Sequence, residues 1–288
     1  MIADSDVERW LREDLGHHDV TNQVPGETTG RLVAREPGVV AGLDAASRVF
    51  DYLGVDVVDS LEAGASVEAD ETLLRVDGPA RDVLRGERLA VNLVGHASGV
   101  ATKTRAAVEA ARAANRDADS ETNGDRRVRG PSDEVRIAAT RKTTPGLRGL
   151  EKRAVVAGGG DTHRLDLSHM VMVKDNHVAE MGLEGAISHF RERISFATKI
   201  EVEVEDVEDA PRAAEAGADV ILLDNMTPEE TRAAVEAMAP HEGVLLEASG
   251  GITVENVGSY AATGVDVISM GSLTHSAPSL DLSFRTGE

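Results

Sequence analysis

The sequence predicts an α/β protein in two parts, an N-terminal α/β domain followed by a parallel βα barrel, complete or incomplete. Three observations carry that expectation. First, six apolar, strand-like runs recur in the second half: VRIAAT (135–140), HMVMVKD (169–175), KIEVEVE (199–205), DVILLDN (219–225), GVLLEASGG (243–251) and VDVISMGS (265–272). Second, stretches with helical periodicity at 206–216 and 228–239 lie between them. Continuous apolar strands alternating with helices mean a parallel sheet covered on both faces. Third, at least six such strands in about 140 residues favour a barrel over an open sheet.

The first half has a different texture. Residues 5–16 (SDVERWLREDLG) predict an amphipathic helix with Ser5 as its cap and Gly16 as its stop. Segments 30–41 and 66–77 are short, β-branched and punctuated by Gly, Pro and Asp, which predicts antiparallel strands around a helix at 43–53. Residues 80–113 are Ala-rich and helical in pattern, with apolar positions at Leu84, Leu89, Val91, Leu93 and Val94. The following NRDADSETNGDRRVRGPSDE (115–134) is polar and apolar-poor, and predicts an exposed loop or local disorder.

Composition narrows the class. The chain has 288 residues, 41% of them hydrophobic, enough to bury a substantial core. No apolar run approaches the roughly 18 residues of a membrane span. The opening MIADSDVERW lacks an apolar signal core, so a soluble cytoplasmic protein is expected. The absence of cysteine excludes disulfides, thiolate metal sites and a Cys nucleophile. With 51 acidic against 30 basic residues, the net charge of −21 disfavours a nucleic-acid or anionic-membrane partner. Only five of the basic residues are lysine (Lys103, Lys142, Lys152, Lys174 and Lys199), and the pairing of few lysines with excess carboxylates predicts adaptation to a salt-rich cytoplasm.

In a barrel, function sits at the C-terminal strand ends. Here those ends carry Arg141-Lys142, Lys174-Asp175-Asn176, Glu203, Asp224-Asn225, Ser249-Gly250-Gly251 and Gly271-Ser272. The window 141–174 holds seven Lys/Arg against three acids, a basic patch in an acidic chain. Such cations suit carboxylate or phosphate, which Arg recognises bidentately. The glycine turns S249-G-G-I and M270-G-S-L follow the last two strands, where barrels often bind phosphate. Glu203 and Asp224 can hold ribose hydroxyls or a hard cation such as Mg2+. Alternation in E-V-E-V-E leaves the choice among Glu201, Glu203 and Glu205 open. No nucleophile–base pair is evident, so catalysis by positioning and electrostatics on a substrate with a good leaving group is expected.

At this point the motifs resemble a known family. T140-R-K-T-T-P-G-L-R148, E151-K, A157-G-G-G160, H163-R, M172-V-K-D-N-H177, E201-V-E-V, L222-L-D-N225, E247-A-S-G-G-I252 and G271-S-L-T-H275 look like the signature of quinolinate phosphoribosyltransferases. The helix segment G86-E-R-L-A-V-N-L is similar as well, so the likeness spans nearly the whole chain; the 115–134 insert is its one departure. The resemblance implies an N-terminal α/β open-faced sandwich, 1–106, joined by the tail 276–288, and an incomplete parallel βα barrel, 107–275. It implies that quinolinate and 5-phosphoribosyl-1-pyrophosphate (PRPP) give nicotinate mononucleotide, pyrophosphate and CO2, with Mg2+.

Carried over by motif, Thr140 belongs to the substrate site, and Arg141, His163 and Arg164 grip the two quinolinate carboxylates with Lys174 beside them. Lys142 meets the pyrophosphate. Glu203 and Asp224 hold the ribose and its Mg2+, directly or through water. Ser249, Gly250 and Gly251 with Met270, Gly271 and Ser272 hold the 5′-phosphate. Arg88 resembles an arginine supplied by the neighbouring subunit, which implies a homodimer or higher even oligomer with shared sites. A nicotinate phosphoribosyltransferase would need to grip only one carboxylate, and the cations of 141–174 argue against it. The molybdenum-associated relatives differ at K174-D-N-H. A non-catalytic nucleotide-phosphate regulator would bind PRPP without turnover.

Overall fold

A computed structural model describes residues 2–121 and 135–287, and the chain divides into two compact units. One comprises 1–105, 143–159 and 273–288; the other comprises 106–142 and 160–272.

The first unit begins with α1 (Asp4–Leu15), which buries Val7 and Leu11, four residues apart on one face. Its N-cap is Ala3 rather than Ser5, and Ala3 makes no side-chain cap bond; Ser5 falls inside the first turn. Gly16 ends the helix as expected, in a positive-φ conformation with its N–H on Arg12 O. The strands are β1 (Glu27–Ala34), β2 (Gly38–Val39), β3 (Asp56–Ser60), β4 (Ser66–Val67) and β5 (Thr72–Pro79). β1 lies between β5 and the C-terminal strand Leu282–Thr286, both antiparallel, and β3 forms the far edge. β2 and β4 pair separately. Helices α2 (Leu43–Tyr52) and α3 (Ala80–Glu121) contribute Leu43, Ala46, Phe50, Val83, Ala90 and Val94 to the same apolar core as Leu32, Leu73, Leu74 and Val76. Phe50 stacks on Phe284 of the C-terminal strand at 5.9 Å. The tail is held tightly, because a Cβ at Gly99 of α3 would lie 1.9 Å from Pro278 O. Glycine there is a condition of that approach.

α3 runs on to Glu121, seven residues into the segment read as loop, and the remainder of that reading, 122–134, lies outside the described residues. The sequence reading assigned all of 107–275 to the barrel. In the structure, 143–159 with α4 (Arg148–Ala157) groups with the first unit. Its links explain why: buried Glu151 accepts from His96 at 2.8 Å, and Arg105 Nε donates to Gly158 O at 3.1 Å.

The second unit holds six parallel strands: β6 (Arg136–Ala138), β7 (Val171–Val173), β8 (Ile200–Val204), β9 (Val220–Asp224), β10 (Leu245–Ser249) and β11 (Val267–Ser269). Their order, β6-β11-β10-β9-β8-β7, puts the first strand beside the last. A single parallel bridge, Ala138 to Asp161, extends the β6 edge. No pairing closes that edge onto β7 among the described residues, so the barrel is incomplete. Helices α5 (Asp175–Met181), α6 (Leu183–Arg191), α7 (Asp209–Glu215) and α8 (Pro228–Ala237) fill the connections. The α8 start is legible residue by residue: Thr227 Oγ1 accepts from Glu230 N at 3.2 Å, and the Glu230 carboxylate accepts from Thr227 N at 2.8 Å. The fold is therefore α/β, with an N-terminal antiparallel sheet domain and an incomplete parallel βα barrel.

Candidate active site

Register fixes which side chains share a face. In parallel neighbours, in-register residues point the same way, and along a strand the period is two. Met172 pairs with Glu201, Glu203 with Leu222, Leu222 with Glu247, and Asp224 with Ser249. Lys174, Glu201, Glu203, Asp224, Glu247 and Ser249 therefore line one face of the sheet, descending from the strand ends into its interior.

At the rim, Lys174 at the start of α5 pairs with Glu203. His177 accepts the Lys174 backbone N–H at Nδ1, 3.0 Å, and fixes the turn that launches the lysine. Burial raises the Asp224 pKa, and the carboxylates of Glu203 and Glu205 add to it against the opposing Lys174. Asn225, left-handed at φ 55°, donates from Nδ2 to Asp224 at 2.7 Å. Gly250 and Gly251 follow β10 with φ of 96° and 62°, and a Cβ on Gly250 would sit 2.3 Å from Asn225 Oδ1. Only glycine fits that turn. Neither glycine uses its N–H in a hydrogen bond among the described residues. Ser269 Oγ donates to Ser249 Oγ at 3.0 Å, and Ser272 Oγ approaches Ile252 O at 3.5 Å.

Below the rim lies a buried charge cluster. His163, also left-handed at φ 52°, is held by its own N–H on Asp161 Oδ1 at 2.7 Å. Its Nε2 lies 3.0 Å from Glu247 Oε2 and 3.5 Å from Glu201 Oε1. Burial alone would discharge the imidazole, but Glu201 and Glu247 outweigh it and push the pKa up to about 10. Arg164 is 8% exposed; desolvation pulls its pKa down, with Glu201 opposing and Arg141 adding to the pull. Arg164 Nε and both Glu201 oxygens are buried without a hydrogen bond among the described residues. His163 and the two glutamates bring ligand atoms within 4.8 Å of one another, a spacing that could hold a metal ion. Arg164, however, already faces both carboxylates, and a metal would have to displace the His163 proton beside it.

The second unit thus brings together Arg141, His163, Arg164, Lys174, Glu203, Asp224, Ser249, Gly250 and Gly251 in one strand-end region. Lys142 is exposed, its N–H on Thr140 Oγ1 at 3.1 Å. Met270 departs from the expectation: it is 1% exposed and its N–H donates to Ala138 O at 2.9 Å, so it completes the sheet and offers no donor. Arg88 belongs to the first unit, where its exposed side chain lies 3.8 Å from Glu87, its one partner among the described residues. Sequence reasoning missed Glu247 and left Glu201 undecided. The structure puts Glu201 deep, Glu203 at the rim and Glu205 beyond the strand, exposed.

Comparison with known proteins agrees over both units. Residues 19–98 match the N-terminal domain of quinolinate phosphoribosyl transferase, and residues 100–285 match its C-terminal domain. A "probable nicotinate-nucleotide pyrophosphorylase [carboxylating]" from Methanothermobacter thermautotrophicus is 43% identical over 97% of both chains. The human nicotinate-nucleotide pyrophosphorylase [carboxylating] is 41% identical over 97% of this chain and 90% of its own. The crystal structure of NadC from Streptococcus pyogenes superposes with a TM-score of 0.86 at 36% identity, covering 99% of this chain and 96% of that one. By these matches the chain belongs to the quinolinate phosphoribosyltransferase family.

Proposed function

We propose that the strand-end site transfers the phosphoribosyl group of PRPP to quinolinate with decarboxylation, giving nicotinate mononucleotide, pyrophosphate and CO2 for NAD biosynthesis. The observation that carries this reading is the adjacent pair His163 and Arg164, a half-buried and a buried cation below the strand ends, suited to a substrate with two carboxylates. Arg141 and Lys174 complete that anion pocket. The turn at Gly250–Gly251, with Gly271 and Ser272, suits the 5′-phosphate through backbone donors. Thr140 and Lys142 lie on the loop that meets the pyrophosphate.

The chemistry asks for placement. The pyridine nitrogen attacks C1 of the ribose as pyrophosphate leaves through an oxocarbenium-like state, and Lys142 offsets the leaving charge. Glu203 and Asp224 lie where they can hold the ribose hydroxyls. Their oxygens also fit Mg2+, since Asp224 feels two neighbouring carboxylates that a hard cation would relieve. Bound there, directly or through water, the ion would neutralise charge on the pyrophosphate. The quaternised ring nitrogen then stabilises the carbanion left as CO2 departs, and that carbon takes a proton from water to give nicotinate mononucleotide.

No described helix is long and apolar enough to cross a membrane, and the reading is of a cytoplasmic enzyme. The exposed Arg88 suits a site shared across a homodimer; sedimentation as a monomer would remove that part. The main test is a quinolinate- and PRPP-dependent CO2 assay with Mg2+. Quinolinate should be consumed far faster than nicotinate, and equal turnover of nicotinate overturns the assignment.

A further inference from the structure

We propose that Glu247 is a positioning residue for this reaction: it clamps Nε2 of His163 so that the ring stays cationic, with Nδ1 turned to the ligand. The inference deepens the functional reading above and rests on it for the ligand's identity.

Glu247 sits inside an apolar strand, between buried Leu246 and Ala248, and is itself 1% exposed. A carboxylate in that place costs stability, and its Oε1 has no hydrogen bond among the described residues to offset the cost. Its other oxygen makes a single directed contact, the 3.0 Å bond to His163 Nε2. Glu201 stands farther off, at 3.5 Å, with neither oxygen hydrogen-bonded. The two acids therefore divide the work. Both acids hold the ring cationic, Glu201 foremost, and Glu247 adds the shorter directed contact. The His163 backbone is left-handed and pinned on Asp161, which fixes the point from which the ring reaches Glu247. With Nε2 occupied, Nδ1 is the nitrogen left over, and it has no partner among the described residues.

The charged groups acting on the ring are Glu201 from β8 and Glu247 from β10; Arg164, the next residue, feels the same two carboxylates and Arg141. The carboxylates dominate and push the pKa up to about 10 against the ordinary 6.5. The sign follows from that direction. The cation–carboxylate attraction stabilises the fold fully below the unfolded value and is lost as pH rises through the folded one, a window from 6.5 to about 10. Ligand binding through the cation should show the same alkaline limb.

The test is Glu247→Gln, which keeps shape and removes charge. The His163 imidazole is followed by NMR titration, its signal assigned by its loss in His163→Gln. The wild-type ring should stay protonated beyond pH 9, and Glu247→Gln should lower its midpoint by ~2 units. At pH 9, kcat/KM for quinolinate should fall about tenfold, KM for PRPP should move less than about twofold, and activity should recover near pH 6. A merely structural role would not be rescued by acid. If Glu247→Gln does not fold, Glu247→Asp replaces it: the midpoint should stay high while kcat/KM for quinolinate drops. An unchanged midpoint in Glu247→Gln, or a loss equal at pH 6 and 9, overturns the proposal; so does an unaltered kcat/KM in the Asp variant. A wild-type protein with a raised His163 midpoint but no CO2 from quinolinate leaves the clamp standing and fells the functional reading beneath it.

Discussion

Where the antiparallel sheet of the first unit closes over Leu32, Phe50, Leu73, Leu74 and Val76, each at most 1% exposed, the parallel sheet of the second carries Glu201 and Glu247 at 0% and 1% among equally buried Ile200, Val202 and Leu246. The same degree of burial has opposite energetic signs in the two places. Apolar area removed from water stabilises by about 25 cal/mol per Å2. A buried carboxylate costs several kcal/mol before its partners offset part of it. The first sheet is built for stability. In the second, part of that stability is given up for a fixed pattern of charge, and the pattern coincides with the strand ends where a parallel barrel can act on a ligand.

Cutting into each kind of burial should separate the two effects, and the larger change in free energy belongs to the apolar core. Phe50→Ala removes a fully buried ring stacked on Phe284 and should cost about 3–5 kcal/mol of stability. Thermal unfolding reads the loss. The His163 titration of the folded variant should be unchanged, and a shifted titration would mean that the two cores are not separable.

Arg164→Met tests the other side. It keeps volume and removes a desolvated cation, so kcat/KM for quinolinate should fall on the order of 100-fold, from a loss of about 2–4 kcal/mol in transition-state stabilisation. Its Tm should change less than that of Phe50→Ala. An activity loss below tenfold would make Arg164 a structural ion-pair partner and no more.

The contrast also explains which parts were legible in the sequence. The six parallel strands showed as uninterrupted apolar runs, because helices on both faces leave no polar side to alternate with. β3 was missed: it is an edge strand with DVVDS mostly exposed, so its alternation carries little signal. The pairing of 282–286 with β1 joins residues some 250 positions apart, which no local pattern encodes. The polarity of 115–121 and its weak helix formers Asn115, Asp117, Asp119 and Ser120 predict a loop, but the segment continues the long helix α3, which supplies the nucleus that local propensity lacks. At the site, Lys174, Glu203 and Asp224 were visible because strand ends are where apolar runs stop. Glu247 was hidden inside LLEAS, and Glu201 inside IEVEV, two residues below the rim positions Ser249 and Glu203. Period two would place each on the ligand face, but that they converge on His163 depends on a register of neighbouring strands that sequence alone does not supply.

Salt should separate the charge inside the molecule from the charge on it, with the smallest effect of the series. The net charge is −21, and acids cluster on both units: Glu27, Asp56 and Asp77 line one surface hollow, and Glu205, Asp206, Glu208, Asp209 and Glu230 line another. Repulsion among exposed charges acts across water and is screened as the Debye length falls from about 10 Å at 0.1 M to about 3 Å at 1 M. Tm should therefore rise by a few degrees over that range, as self-repulsion of the folded state is relieved. Surface pairs such as Arg191–Asp219 are screened as well, which trims the gain. The His163–Glu247 contact is shielded from solvent, so its titration midpoint should hold through the same range. A Tm that stays level or falls with salt rejects the salt-adapted surface and leaves the enzyme untouched. A midpoint that drifts down with salt would mean that water and ions reach the cluster, and the contrast between a charged interior and a charged exterior would no longer hold.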